Sequence, residues 1–261
     1  SWLLRKPSKN QLTPGSFTPI QPQPVAVLEG DFLLHNSMIF RAYSTEPDAP
    51  DATSIKSAGK FVMPGTGIKG AVTARARQIL RSVAADTATA DNLFDAMFGF
   101  VKEDTSLPDA AAKGLILVEE SIIPAAVAEL QNRIRIDRFT GGTIETALFN
   151  TMPLFSNPDS TSADAIRLKV TINKPQNHII GLMLLVFKDI WLGDLAFGGE
   201  KNVGRGTLEG LSLTLRYNGK ETMMLRSNPE SLKQAAQQFD PFITAFTASC
   251  HTATGSKGGR K

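Results

Sequence analysis

The chain has 261 residues, 42% of them hydrophobic, with a formal net charge of +3 and a pI near 9.0. That is enough for one large domain with insertions and an ample core, and so small a net charge means that any nucleic-acid surface must come from local clustering. The single cysteine, Cys250, excludes an internal disulfide, no Cys/His spacing resembles a zinc site, and the longest apolar run, 179–187, is too short for a bilayer; these features point to a reducing cytoplasm and no membrane partner.

Residues 1–24 carry Pro7, Pro14, Pro19, Pro22 and Pro24 and read as a linker, while 249–261 read as a flexible, Gly-, Ser- and Lys-rich tail. Loose ends of this kind suggest a module cut from, or fused within, a longer polypeptide. The domain between them opens with a strand over 25–34, with Gly30 at a bulge, running on through Met38, Ile39 and Phe40. Residues 41–60 break into a polar loop that contains Asp48 and Asp51.

A Pro64-Gly65 turn then leads without a gap into a helix. Ile68, Val72, Ala76, Ile79, Leu80 and Val83 share one face, and Lys69, Thr73, Arg77 and Arg81 form a polar, mostly basic stripe. The free N–H groups and dipole of a helix opening behind such a turn favour an anion, so a phosphate is a sensible ligand; a glycine turn before an ordinary amphipathic helix is the plainer alternative. Gly65, Gly67 and Gly70 also spell the dinucleotide-binding pattern, but no apolar strand with a closing acidic residue follows, which excludes that reading.

Further along, 92–100 is helical and ends at Gly99, and 114–118 is a buried strand. Residues 133–138 alternate strictly, placing Arg133 and Arg135 on one strand face, and Gly141-Gly142 turns the chain as a long hairpin would. Arginine at alternate positions suits RNA contact and an ordinary solvated strand alike. Residues 166–172 form another strand, and 176–191 a buried helix. Five glycines in 193–206 mark a loop whose backbone approaches something closely or adopts positive φ. A strand over 207–217 and an amphipathic helix over 231–248 close the chain. The order β-α-β-hairpin-β-α-β is that of an α+β, ferredoxin-like (RRM-like) domain with an inserted hairpin at about 120–165 and loop insertions.

Four segments in this order resemble the RAMP superfamily of CRISPR effector proteins, particularly the repeated backbone subunit of type III complexes. They are Met63-Pro64-Gly65-Thr66-Gly67-Ile68-Lys69-Gly70; Leu93-Phe94-Asp95-Ala96-Met97-Phe98-Gly99 with the strand after it; Ile136-Asp137-Arg138-Phe139-Thr140-Gly141-Gly142; and the glycine-rich run from Phe197 to Gly206. The loose ends fit one module of a multi-RAMP fusion. The resemblance implies that the first helix turn and glycine loop hold crRNA, and that the hairpin is a thumb displacing bases from the guide–target duplex. Carried over residue by residue, it implies RNA contacts at Lys69, Arg77, Arg133, Arg135, Arg138, Gly198, Gly199, Lys201 and Arg205, with target RNA and neighbouring RAMP subunits as the other partners. It also implies cleavage of target RNA by an aspartate after the first strand. Asp51 fits that position if a short deletion is allowed, with Asp48 as the other candidate and Mg²⁺ on Asp51 as the metal. Two alternatives stay open: a non-catalytic RNA-binding subunit of such a complex, and a guide-processing RAMP endoribonuclease, for which His35 is the only candidate acid/base. His178, on the apolar helix, reads as structural.

Overall fold

A computed structural model describes residues 23–43, 49–101 and 110–252, with backbone alone at 145–147. The linker up to residue 22, the tail beyond Thr252, and Asp48 lie outside the described residues. The long elements are β1 (Val25–Leu34), α1 (Gly65–Val83), α2 (Thr87–Phe98), β2 (Ile116–Val118), β3 (Gln131–Ile136), β4 (Thr143–Met152), β5 (Ile166–Asn173), α3 (Asn177–Trp191), β6 (Leu208–Tyr217), β7 (Lys220–Leu225) and α4 (Pro229–His251).

β1 sits in the middle of a five-stranded antiparallel sheet of order β7-β6-β1-β5-β2. Its alternation explains the place: Ala26, Leu28, Gly30 and Phe32 are buried on one face, while Glu29 and Asp31 lie on the other. Register pairs Leu28 with Val170 of β5 and with Leu215 of β6, so apolar positions of three strands meet on one side. The pairing with β6 slips between Asp31 and Phe32, one residue beyond the bulge expected at Gly30. Without β7, the order β6-β1-β5-β2 joins β1-α1-β2 and β5-α3-β6 into the ferredoxin-like arrangement that the element order predicts.

The core lies between this sheet and the helices. Ile68, Val72, Ala76 and Leu80 of α1 are buried as their spacing predicts, and α3 buries Ile179, Ile180, Leu182, Met183, Val186, Phe187 and Ile190. α3 and α4 cross so closely that a Cβ at Gly181 would overlap the Phe242 carbonyl oxygen. α4 continues through His251, into the stretch read as tail.

Three local expectations are corrected. β1 stops at Leu34 rather than running to Phe40: Asn36 adopts φ 63, and a separate short strand, Ser37–Met38, follows. The polar loop over 41–60 contains the short strands Arg41–Ala42, Ala52–Ser54, Lys56–Ser57 and Lys60–Met63, each too short to show a period. α2 begins at Thr87, where the Asp86 side chain caps the Thr89 amide at 2.7 Å. The inserted hairpin β3–β4 belongs to a second sheet, in which Thr151 pairs in parallel with Ala52, and Arg41 pairs with Ser54. This second sheet carries the residues around which the site is built.

Candidate functional site

Three segments converge on one seam: the chain leaving β1, the root of the β3–β4 hairpin, and the glycine-rich loop. The loop is tied down by backbone contacts. Gly199 donates to the Ile39 carbonyl at 2.8 Å and Gly206 to the Ser37 carbonyl at 2.7 Å, and Phe197 closes the loop by donating to Gly206 at 2.8 Å. A Cβ at Gly198 (φ 77) would overlap the Ile39 oxygen, and one at Gly206 (φ 88) the Phe197 oxygen. Both readings of the glycines hold: φ is positive, and the backbone approaches something closely, namely the segment leaving β1.

Glu200 opens the short helical turn Lys201–Val203 with φ 58, and its carboxylate gathers three arginines. Arg41 donates to it at 3.0 Å, Arg205 donates at 2.9 Å, and Arg133 forms an ion pair at 2.8 Å. Burial works to raise the Glu200 carboxyl; hydrogen bonds from Arg41 and Arg205, together with the charge of Arg133, outweigh it and hold the group below its ordinary value. Arg205 is 4% exposed, donates also to Ser37 Oγ and Gln131 Oε1, and lies over the Phe155 ring. Arg205 is therefore an internal cross-link between the loop and the hairpin root. Arg133 is paired and only half-buried, whereas Arg135 and Arg138 farther out, and Lys201 on the loop, are exposed and make no ion pair among the described residues.

Asp51 lies on the other side of the hairpin root. Its amide donates to Asn150 Oδ1 at 2.9 Å, and the Asn150 amide donates to Asp51 Oδ2 at 2.8 Å. The Asp51 carboxylate thus has a structural duty: one oxygen docks the segment after β1 onto β4. The other has no partner among the described residues and stays available.

At the start of α1, Pro64 is the cap residue, no side chain caps the first turn, and no acidic residue occupies it; Lys69 is exposed. The basic stripe is partly consumed, since Arg77 stacks on Phe94 at 3.8 Å and Arg81 pairs with Asp91 at 3.6 Å. His35 is exposed beyond β1, its amide bonded to the Thr207 carbonyl. His178 is half-buried at the start of α3, and burial lowers its pKa.

The solvent face of the main sheet offers no stacking platform. Arg167 pairs with Asp31 at 2.8 Å, Arg216 with Glu221 at 2.7 Å and with Glu29 at 3.0 Å, and Lys169 with Glu119 at 2.8 Å. No residue of β1 or β5 on that face is aromatic, so those strands offer single-stranded bases no ring to stack on. Exposed positive charge without an ion pair among the described residues lies beside the seam and along the hairpin at Lys201, Arg135 and Arg138.

An α+β, ferredoxin-like domain with an inserted hairpin and a pinned glycine loop is the class this structure defines. A family profile described as the RAMP superfamily matches residues 50–209, from the segment holding Asp51 through the glycine loop and into β6. The chain belongs to the RAMP superfamily, and membership carries a CRISPR-associated RNA-binding role. No curated protein matches the chain. No helix among the described residues is long and apolar enough to cross a membrane. The sequence reading missed Arg41, Glu200, Gln131 and Asn150; only their three-dimensional meeting distinguishes them from ordinary polar residues.

Proposed function

We propose that the chain is a crRNA-binding backbone subunit of a type III-like CRISPR effector complex, and that it cleaves target RNA at Asp51. The observation that carries this reading is the Asp51–Asn150 pair, which holds an aspartate at the root of the protruding hairpin. RNA backbone lies along the seam, met by Lys69, Lys201, Arg135 and Arg138, while sequence is left to guide–target pairing. Arg205 and Arg133 hold the loop and hairpin in place, and Gly198 and Gly199 bring the loop backbone close. The hairpin stands at the duplex beside neighbouring RAMP subunits, in the cytoplasm.

Among the described residues, no three of His, Cys, Asp and Glu come together as a metal-holding group. Mg²⁺ commonly takes only one or two carboxylates, with substrate phosphate and water completing its shell, so Asp51 fits that donor set through its free oxygen while Oδ2 remains on Asn150. The ion, when bound, would offset charge at the phosphate and polarise the attacking hydroxyl. Asp51 orients the 2′-hydroxyl next to the scissile phosphate; the hydroxyl gives up its proton to solvent, the 2′-oxygen bonds to phosphorus as the P–O5′ bond breaks, and the leaving oxygen takes up a proton from solvent. The test is a labelled target RNA incubated with assembled complex and Mg²⁺: the parent cuts, EDTA stops cutting, and Asp51→Asn binds both RNAs without cutting at its site.

A second reading has its own support. Because Asp51 Oδ2 is committed to Asn150, the pair also suits a non-catalytic subunit that only holds RNA and neighbours. Absence of cutting by the parent, with RNA binding intact, selects that reading.

A further inference from the structure

At the hub of the seam, three guanidinium charges meet the single carboxylate of Glu200, leaving two positive charges over. The three arginines are spent unequally. Arg205 uses Nε on Glu200, Nη1 on Ser37 and Nη2 on Gln131, and almost none of it reaches solvent. Arg41 uses only Nη2, on Glu200; its Nε and Nη1 have no partner among the described residues, and its side chain is 44% exposed. Arg41 also lies along the glycine loop, where a Cβ built on Gly199 would stand 3.6 Å from its Nε. Its backbone is fixed by pairing with Ser54 in the second sheet.

A guanidinium steadied at one arm by a carboxylate, with Nε and Nη1 free and Nε beside the side-chain-free backbone of Gly199, is organised in advance to donate to phosphate oxygens. Stapling the loop to the hairpin does not require this exposure, because Arg205 already does that from the inside. We infer that Arg41 binds an RNA phosphodiester at the glycine loop, and that Glu200 positions it and sets how much of the arginine charge the RNA meets. The inference rests on the RNA-binding reading above and is independent of cleavage. Glu200 neutralises part of the cluster, so it holds Arg41 in place and also weakens the field that the phosphate meets.

The test uses the full chain and a labelled single-stranded RNA, with affinity measured across a salt series. Arg41→Ala should bind about tenfold more weakly, the size of one charge-assisted contact, with a salt dependence shallower by about 0.7 in log–log slope. Its melting temperature should fall only slightly, since Arg133 and Arg205 keep the Glu200 carboxylate paired. Arg41→Lys should restore the slope but not the whole affinity, because an ammonium lacks the planar fork. Glu200→Gln should bind more tightly with a steeper slope, as the competing charge is gone.

Parent-like affinity in Arg41→Ala would overturn the inference, as would weaker binding with an unchanged slope, which would mark Arg41 as a staple only. Weaker binding by folded Glu200→Gln would overturn the claim that Glu200 limits the arginine charge the RNA meets. If Glu200→Gln does not fold, the two Arg41 variants decide the matter. A parent that binds no RNA defeats the RNA-binding reading as well, whereas a binding parent with an indifferent Arg41 defeats this inference alone.

Discussion

Asp51 and Asn150 hold each other from both sides, the amide of each donating to the side chain of the other at 2.9 and 2.8 Å. They are 99 residues apart in sequence, and together they join the segment after β1 to the return strand of the hairpin. An aspartate held this way keeps one oxygen fixed and one free, which suits a group that must be placed before it acts.

Asn150→Ala removes the acceptor for the Asp51 amide but leaves the backbone donor on position 150. The loss in stability should be no more than about 1 kcal/mol, as for one partly exposed hydrogen bond, measured by urea unfolding. Cleavage should fall further than stability does, because Asp51 keeps only one of the two bonds that place it. Equal, small effects on both would mean that placement is unimportant.

The Glu200 hub should make the fold sensitive to acid. Because the folded value of this carboxyl is held below the unfolded value, its contribution is fully present above about 4.3, the ordinary glutamate value, and is lost as pH falls through the folded value. Unfolding free energy measured against pH should decline in that acidic window. Glu200→Gln should decline less steeply there, and an unchanged pH profile would contradict the assignment.

The glycine loop gives a paired prediction. Gly204 and Gly206 both have positive φ, but a Cβ at Gly204 meets open space while one at Gly206 overlaps the Phe197 oxygen. Gly204→Ala should therefore cost about 1 kcal/mol for backbone conformation alone. Gly206→Ala should cost distinctly more, about 3 kcal/mol or beyond, since a steric overlap with backbone is added. Thermal unfolding of the two variants checks the order.

Much of the fold was legible because burial writes a period into the sequence. β1 alternates from Val25 to Phe32 and α1 and α3 bury the faces their spacing predicts, whereas the Arg133–Ile136 alternation marks the hairpin with Ile134 and Ile136 left exposed. β7 was missed although its signal was present: Asn218 and Gly219, with φ 50 and 70, are an Asn-Gly hairpin turn between Tyr217 and its partner Lys220. The short strands around Asp51 left no period to read. Least legible was the Glu200 hub, because its partners stand at 41, 133 and 205, and nothing local to Glu200 distinguishes it from a solvated loop acid.

Hairpin-tip chemistry should separate stability from target engagement. Phe139 is 99% exposed, and the turn is held locally, with Asp137 Oδ1 accepting from the amides of Phe139 and Thr140 at 2.8 and 2.9 Å. Phe139→Ser should change stability by less than about 0.5 kcal/mol, as surface substitutions generally do, while impairing target RNA engagement by assembled complex. A large drop in melting temperature would make the tip ordinary structure.

Cleavage of labelled target RNA by assembled complex in Mg²⁺, comparing parent, Asp51→Asn and Asp48→Asn, tests the central claim most directly. Asn at position 51 can still accept from the Asn150 amide, so the hairpin root stays in place while the charge is lost. The account predicts that parent and Asp48→Asn cut, that EDTA abolishes cutting, and that Asp51→Asn binds guide and target at parental affinity without cutting at its site. Undiminished cutting by Asp51→Asn would contradict the account.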